Sequence, residues 1–130
     1  MWPVEHVPDE DRLFMRVHPN NARDGILNPG AFANHGEAGK RAGMSTDWEK
    51  YSTPDETRNR ATRNPAIYGV VGMVVGQLRE VPGQTAEHTP DYPANRAHTE
   101  VFGDKRSDPE VRVLLRRIST WEIPIQPAGN

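Results

Sequence analysis

Apolar positions recur at every second residue in "RLFMRVHP", where Leu13, Met15 and Val17 alternate with Phe14, Arg16 and His18. That period predicts a half-buried strand ended by Pro19, and it places Arg16 and His18 on one face. In the longest apolar stretch, "AIYGVVGMVVGQL" at 66–78, Ile67, Val71, Met73 and Val75 point one way and Tyr68, Val70, Val74 and Leu78 the other. This run predicts the central strand of a sheet, buried on both faces. Gly69, Gly72 and Gly76 would also suit a helix with a small-residue seam, but four valines in a short run favour the strand. "RAHTEVFG" alternates again, with His98, Glu100 and Phe102 opposed to Ala97, Thr99 and Val101, and predicts a second sheet strand.

Two segments carry helical signals. In "STPDETRNRATRNP", Thr53 can cap, Pro54 suits the first helical position and Glu56 can close a capping box, while Pro65 ends the helix. Its interior offers almost no apolar face, so it belongs on the surface. "SDPEVRVLLRRISTW" has Asp108 as cap and Pro109 at the first position. Val111, Leu114, Leu115 and Ile118 follow at helical spacing, a stripe expected to bury against the sheet. Residues 19–45, punctuated by Asp24-Gly25 and Asn28-Pro29-Gly30, read as mostly loop, and "QTAEHTPDYPAN" is broken by Pro90 and Pro93. The expected fold is α+β: a small, mostly antiparallel sheet, a C-terminal amphipathic helix packed on it, and long loops. Residues 1–130 read as one domain, with 1–11 and 124–130 as irregular tails.

Composition agrees with a loop-rich chain. Hydrophobic residues are 35 %, with 12 prolines and 11 glycines, and the mean hydropathy is -0.79. Cysteine is absent, which excludes disulfides and thiolate zinc sites and is compatible with a reducing compartment. Acids stand in "MWPVEHVPDED" where a secretory leader needs cations, and no apolar run is long enough to span a bilayer, so a soluble, cytoplasmic protein is expected. The net charge of -2 is spread evenly along the chain, and arginines such as Arg58, Arg60, Arg63, Arg112, Arg116 and Arg117 lack aromatic interleaving. They read as solvated faces rather than a nucleic-acid footprint.

"HGEAGKRAGMST" at 35–46 invites comparison with a phosphate-binding P-loop but fails it twice, at Asn34 for glycine and Arg41 for a hydroxyl. What remains is a glycine-rich loop, expected to be mobile, whose cations Lys40 and Arg41 are candidate ligand-binding residues. Ser45 does not lie in a nucleophile elbow, and its simplest reading is a turn hydroxyl. Arg16 and His18 form a candidate anion site, or a solvated strand face. His98 and Glu100 are spaced for a carboxylate to orient an imidazole, or for an ordinary surface pair. His88 and His98, with Asp91, Glu100 and Asp104, lack the tight spacing of metal ligands, and no metal is expected.

Taken in order, Arg16 on an early strand, Ser45-Thr46 in "MST" after a loop, and Glu100 on a late strand resemble the ADP-ribosyltransferase family. The resemblance implies that Arg16 contacts a dinucleotide, NAD. It also implies that the Ser45-Thr46 strand organises the nicotinamide pocket and that Glu100 stabilises a ribosyl cation. Arginine-modifying members carry a second Glu two residues before the catalytic one, and here that place is His98. A looser similarity is to small bacterial proteins that pair "L-[FY]-x-R-V" with "N-x-A-H", here "LFMRV" and "NRAH". It implies no chemistry but draws attention to Arg16 and His98.

Two functions are therefore expected from the sequence: a soluble intracellular interaction or accessory module with a protein partner and no cofactor, or an NAD-using transferase or glycohydrolase. In the second, Arg16, Ser45, His98 and Glu100 would be catalytic, with His18, Lys40, Arg41 and Thr46 binding ligand. The two readings separate on one point: the transferase needs its polar residues to converge on a concave pocket.

Overall fold

The computed structural model describes residues 1–36 and 40–126. Its architecture is α+β, built on a six-stranded sheet whose paired strands are all antiparallel. In chain order the elements begin with β1 (Arg12–Val17) and a short hairpin of β2 (Ala22–Arg23) and β3 (Ile26–Leu27). They continue with β4 (Met44–Trp48), α1 (Pro54–Asn59), β5 (Gly69–Val74), α2 (Val75–Glu80), β6 (Thr85–His88), β7 (His98–Phe102), α3 (Pro109–Ile118) and β8 (Thr120–Ile123). The sheet order is β6-β7-β4-β1-β5-β8.

Alternation along the strands sorts the two faces. Leu13, Met15 and Val17 of β1 join Met44 and Trp48 of β4, Val71 and Met73 of β5 and Val101 of β7 in one core cluster. Phe32, from the connector after β3, is fully buried there, as is Leu115 of α3. The opposite face carries Arg16, Ser45, Asp47, His98 and Glu100, the residues between the core positions. The hairpin β2–β3 turns at Asp24 and Gly25 with φ of 53° and 78°, the paired positive values of a tight two-residue hairpin turn that Asp-Gly supplies.

Several expectations need correction. The apolar run 66–78 is not one strand: β5 stops at Val74, and Val75 and Leu78, both fully buried, lie one helical turn apart on α2. The amides of Val75 and Gly76 turn to the carbonyls of Asp11 and Asp9 at 2.9 and 2.8 Å, so the N-terminal segment takes the hydrogen bonds that a continuing strand would need. Nor is β5 central, since β4 and β1 occupy the middle of the sheet. Its glycines serve the edge strand: a Cβ on Gly69 would lie 2.7 Å from the Trp121 ring of β8.

Residues 1–11 have no regular structure but are not a loose tail. Val7 is buried, the Glu5 amide donates to His88 Nδ1 at 3.0 Å, and Arg79 holds the Val7 carbonyl and Asp9 at 2.8 and 2.6 Å. On the C-terminal side, β8 runs to Ile123, and 127–130 fall outside the described residues. α1 has both halves of its capping box but ends at Asn59 rather than running to Pro65, because a helix without an apolar face has no packing to extend it. β6 was hidden by its prolines downstream, although its burial alternates as a strand's should.

Candidate functional site

β1 is paired with β5 from Arg12 to Val17, and β4 is paired with β7 from Met44 to Asp47. Between β1 and β4 the ladder consists only of Leu13 with Trp48 and Phe14 with Asp47. Continued in register, it would set Arg16 against Ser45; instead the strands part there. The parting opens a cleft of about 470 Å³, lined from β1 by Phe14, Met15, Arg16 and then His18, and from β4 by Met44 to Asp47. Ala31 and Ala33, on either side of the buried Phe32, line it as well, so the connector is anchored in the core beside the cleft.

Asp47 organises the floor. It is almost completely buried and accepts hydrogen bonds from Thr57 Oγ1, Arg60 Nη1 and Asn95 Nδ2 at 2.8, 2.7 and 2.8 Å. Three donors offset the desolvation of the carboxylate and lock α1 over this end of the sheet. Arg60 also donates to Ser52 Oγ at 2.8 Å, and Arg16 Nη1 donates to the Thr57 carbonyl at 2.8 Å. Two guanidinium groups thus line the cleft in held positions, while the one carboxylate among its described lining residues already serves three donors. The arrangement favours an anion.

Hydrogen bonds also set the tautomers of two histidines. The Asn20 amide donates to His18 Nδ1 at 3.0 Å, so the hydrogen of the neutral ring sits on Nε2 as a donor. The His18 ring meets Tyr68, another lining residue, edge-on at 5.4 Å. His98 has the reverse arrangement. Its Nδ1 lies 2.9 Å from the Thr89 carbonyl, which can only accept, so Nδ1 carries the hydrogen and Nε2 presents its lone pair. That lone pair faces Ser45 Oγ at 3.3 Å.

Arg16, His18, Ser45 and His98, predicted from sequence, are therefore brought together at one cleft. Ser45 is on a strand, not in a turn, which corrects that reading. Thr46 borders the cleft but points its hydroxyl to the Thr99 carbonyl at 2.7 Å on the core side. Glu100 is paired with Ser45 across β4 and β7, one pleat beyond His98, and stands outside the lining residues with its carboxylate against Gly43. Arg41 lies outside too, paired with Glu87 at 2.8 Å and stacked over Phe102 with 3.8 Å to the ring centroid; Lys40 is exposed and does not line the cleft. Glu37 to Gly39, the centre of the glycine-rich loop, lie outside the described residues, while its ends are joined by a bridge between His35 and Gly43.

Asp47, Arg60 and Asn95 were missed. Asp47 is two residues after Ser45, so strand alternation carried past "MST" reaches it. Asn95 opens "NRAH", and its side chain both donates to Asp47 and accepts from the Ala97 amide at 3.0 Å. Arg16, Asn95 and His98, the fixed polar positions of the two short motifs, line the cleft, while Arg96 does not. Nothing in the local pattern marks Arg60, whose partner is 13 positions away. His88 is structural: buried, with Nδ1 accepting from the Glu5 amide and Nε2 donating to the Arg96 carbonyl at 2.7 Å. Among the described residues there is no group of three or more potential metal-ligating side chains, and no helix is long and apolar enough to cross a membrane. Compared with protein-family models, curated proteins and solved structures, the chain matches none.

Proposed function

We propose that the cleft between β1 and β4 binds a dinucleotide of the NAD type and that the protein is an ADP-ribosyltransferase-like transferase or glycohydrolase. The observation that carries this reading is the parting of β1 from β4, with Arg16 on one lip and Ser45 on the other. Glu100 occupies the next strand, on the same sheet face. Three adjoining strands, β1, β4 and β7, thus present the residues that the family resemblance picks out. The cleft volume lies within the roughly 300–1,000 Å³ range of small-molecule sites. Arg16 and Arg60 supply charge for a diphosphate, and His18 supplies a neutral donor. Strand-borne side chains are positioned more firmly than loop-borne ones, which suits a site that must orient one glycosidic bond.

The interaction-module reading draws on the exposed apolar side chains Met1, Val4, Ile26, Ile67 and Tyr92. Met1 and Val4 flank Trp2, whose ring meets Tyr92 edge-on at 4.9 Å, so part of this set lies together; the cleft residues converge on a concave site, which supports a ligand more directly than a protein partner. The test is calorimetric titration with NAD together with a nicotinamide-release assay. Binding is expected for the unaltered protein, with loss of about tenfold or more in affinity for Arg16→Ala and loss of turnover with binding retained for Glu100→Gln. Absence of any dinucleotide binding would return the protein to the interaction reading.

A further inference from the structure

Resting on that reading, we infer that the acceptor in this cleft is a neutral oxygen nucleophile, water or a hydroxyl, and that His98 is the base that deprotonates it. A transferase must choose between accepting a cation such as a guanidinium and accepting an O–H group. A guanidinium acceptor needs a second free carboxylate at the reacting end to hold it, besides the Glu100 committed to the ribosyl cation. Here the carboxylate among the described lining residues, Asp47, already accepts from Thr57, Arg60 and Asn95.

An O–H acceptor meets the opposite situation. His98 is held by the Thr89 carbonyl so that the Nε2 lone pair faces the cleft beside Ser45 Oγ, at 3.3 Å from it. A base oriented by a fixed second group, with its other nitrogen engaged by a hydroxyl at 3.3 Å, a long contact that an incoming O–H donor can replace, is an arrangement suited to general-base catalysis. The lone pair needs no cation to satisfy it and accepts only from a donor, which water and hydroxyls are. Glu100, one pleat further along β7 and across from Ser45, remains the group for the positive charge that develops on the ribosyl carbon.

The step balances without further reagents. The acceptor oxygen forms a bond to the anomeric carbon of the nicotinamide-bearing ribose as the carbon–nitrogen glycosidic bond breaks. Nicotinamide, a cation while attached, departs neutral with the bonding pair. The acceptor proton moves to His98 Nε2, and the resulting imidazolium returns it to solvent after product leaves. Water as acceptor gives ADP-ribose; an alcohol gives the corresponding O-alkyl glycoside; a serine or threonine side chain gives an O-linked ADP-ribosyl protein.

The experiment compares the unaltered protein with His98→Gln, whose amide keeps neutral hydrogen-bonding capacity but supplies no base. NAD is supplied alone, with methanol, with a serine-containing peptide, or with agmatine, a guanidine. Products are identified by mass spectrometry, and NAD affinity is measured in parallel. The expected result is ADP-ribose with NAD alone and an oxygen-linked adduct in the methanol or peptide arm. Agmatine should yield no adduct, and NAD consumption should fall about a hundredfold or more in His98→Gln at NAD affinity within about threefold of the original. A guanidine-linked product, undiminished turnover in His98→Gln, or NAD bound but never consumed would each overturn the inference while leaving the binding reading intact. Failure to bind NAD at all would overturn both. Loss of NAD affinity in His98→Gln would assign His98 to binding and so overturn its role as base.

Discussion

Asp47 and Lys105 show how single buried charges tie this chain together. Asp47 joins α1, β4 and the segment before β7 through Arg60, Thr57 and Asn95. Asp47→Ala strands a guanidinium, a hydroxyl and an amide that lose their acceptor, and a loss of about 3–5 kcal/mol is expected in denaturant melts. A loss under about 1 kcal/mol would mean that the donors find other partners. Lys105 is buried and donates to Asn34 Oδ1, the Val101 carbonyl and the Gly103 carbonyl at 2.5, 3.0 and 3.0 Å. Burial pushes its ammonium down to about 8 from the ordinary 10.5, with Asp104 opposing the shift, so at neutral pH it remains charged and serves all three acceptors. The sign of the linkage follows. Between about pH 8 and 10.5 the unfolded chain keeps a proton that the folded protein has released, so this residue's contribution to stability rises with pH across that window. Melts of the unaltered protein and Lys105→Met from pH 7 to 10.5 should show the unaltered protein gaining relative to the variant. A constant difference would contradict the burial argument. Neither role was legible in advance, because Asp47's partners are 10 to 48 positions away and the burial of Lys105 depends on Asn34, 71 positions away; an Asp after "MST" and a Lys after "FGD" look like any surface charge.

Helix α3 is where pattern and packing agree best, with a refinement that only packing supplies. Its cap is as expected, Asp108 accepting from the Glu110 amide at 3.0 Å. Of the predicted stripe, Val111 and Leu115 are buried, while Leu114 and Ile118 are half-buried at its margin. Leu115→Ala should therefore cost about 2–5 kcal/mol through lost transfer energy and a residual cavity. Leu114→Ala should cost about 1 kcal/mol or less, and equal losses in a urea titration would show that the stripe is buried evenly. The apolar run 66–78 marks the limit of the same reasoning. Val75 and Leu78 suit the two faces of a doubly buried strand or one face of a helix, and the choice was made by Asp9 and Asp11, whose carbonyls receive the α2 amides. β6 and β8 escaped notice because each is short and flanked by prolines or a chain end, leaving little periodic pattern to read.

The sheet as a whole converts these local choices into a site. If the cleft takes a dinucleotide, ligand binding must stabilise the fold: about 2.7 kcal/mol is expected at NAD concentrations a hundredfold above its dissociation constant, seen as a higher melting temperature. At the same NAD concentration the shift should fall by about half or more in Arg16→Ala, whose affinity is about tenfold or more weaker. No shift for the unaltered protein at millimolar NAD would count against the dinucleotide. By itself the sequence determined the α+β class, the faces of β1 and β7, the N-termini of α1 and α3 and the strand-borne polar set Arg16, His18 and His98. Each of these follows from a period of two or of 3.6 residues, or from a capping side chain within three positions, which are local properties of the chain. Only the tertiary structure decided that β1 and β4 lie side by side yet part after Phe14 and Asp47, that Glu100 sits one pleat outside the cleft, and that Arg60 and Asn95 complete its floor. The placement of β1 beside β4 and the end of their ladder depend on hydrogen bonds between segments more than 30 residues apart, and on the buried Phe32 beside the gap. No local pattern encodes either of those, because the backbone groups that form the ladder are the same at every residue.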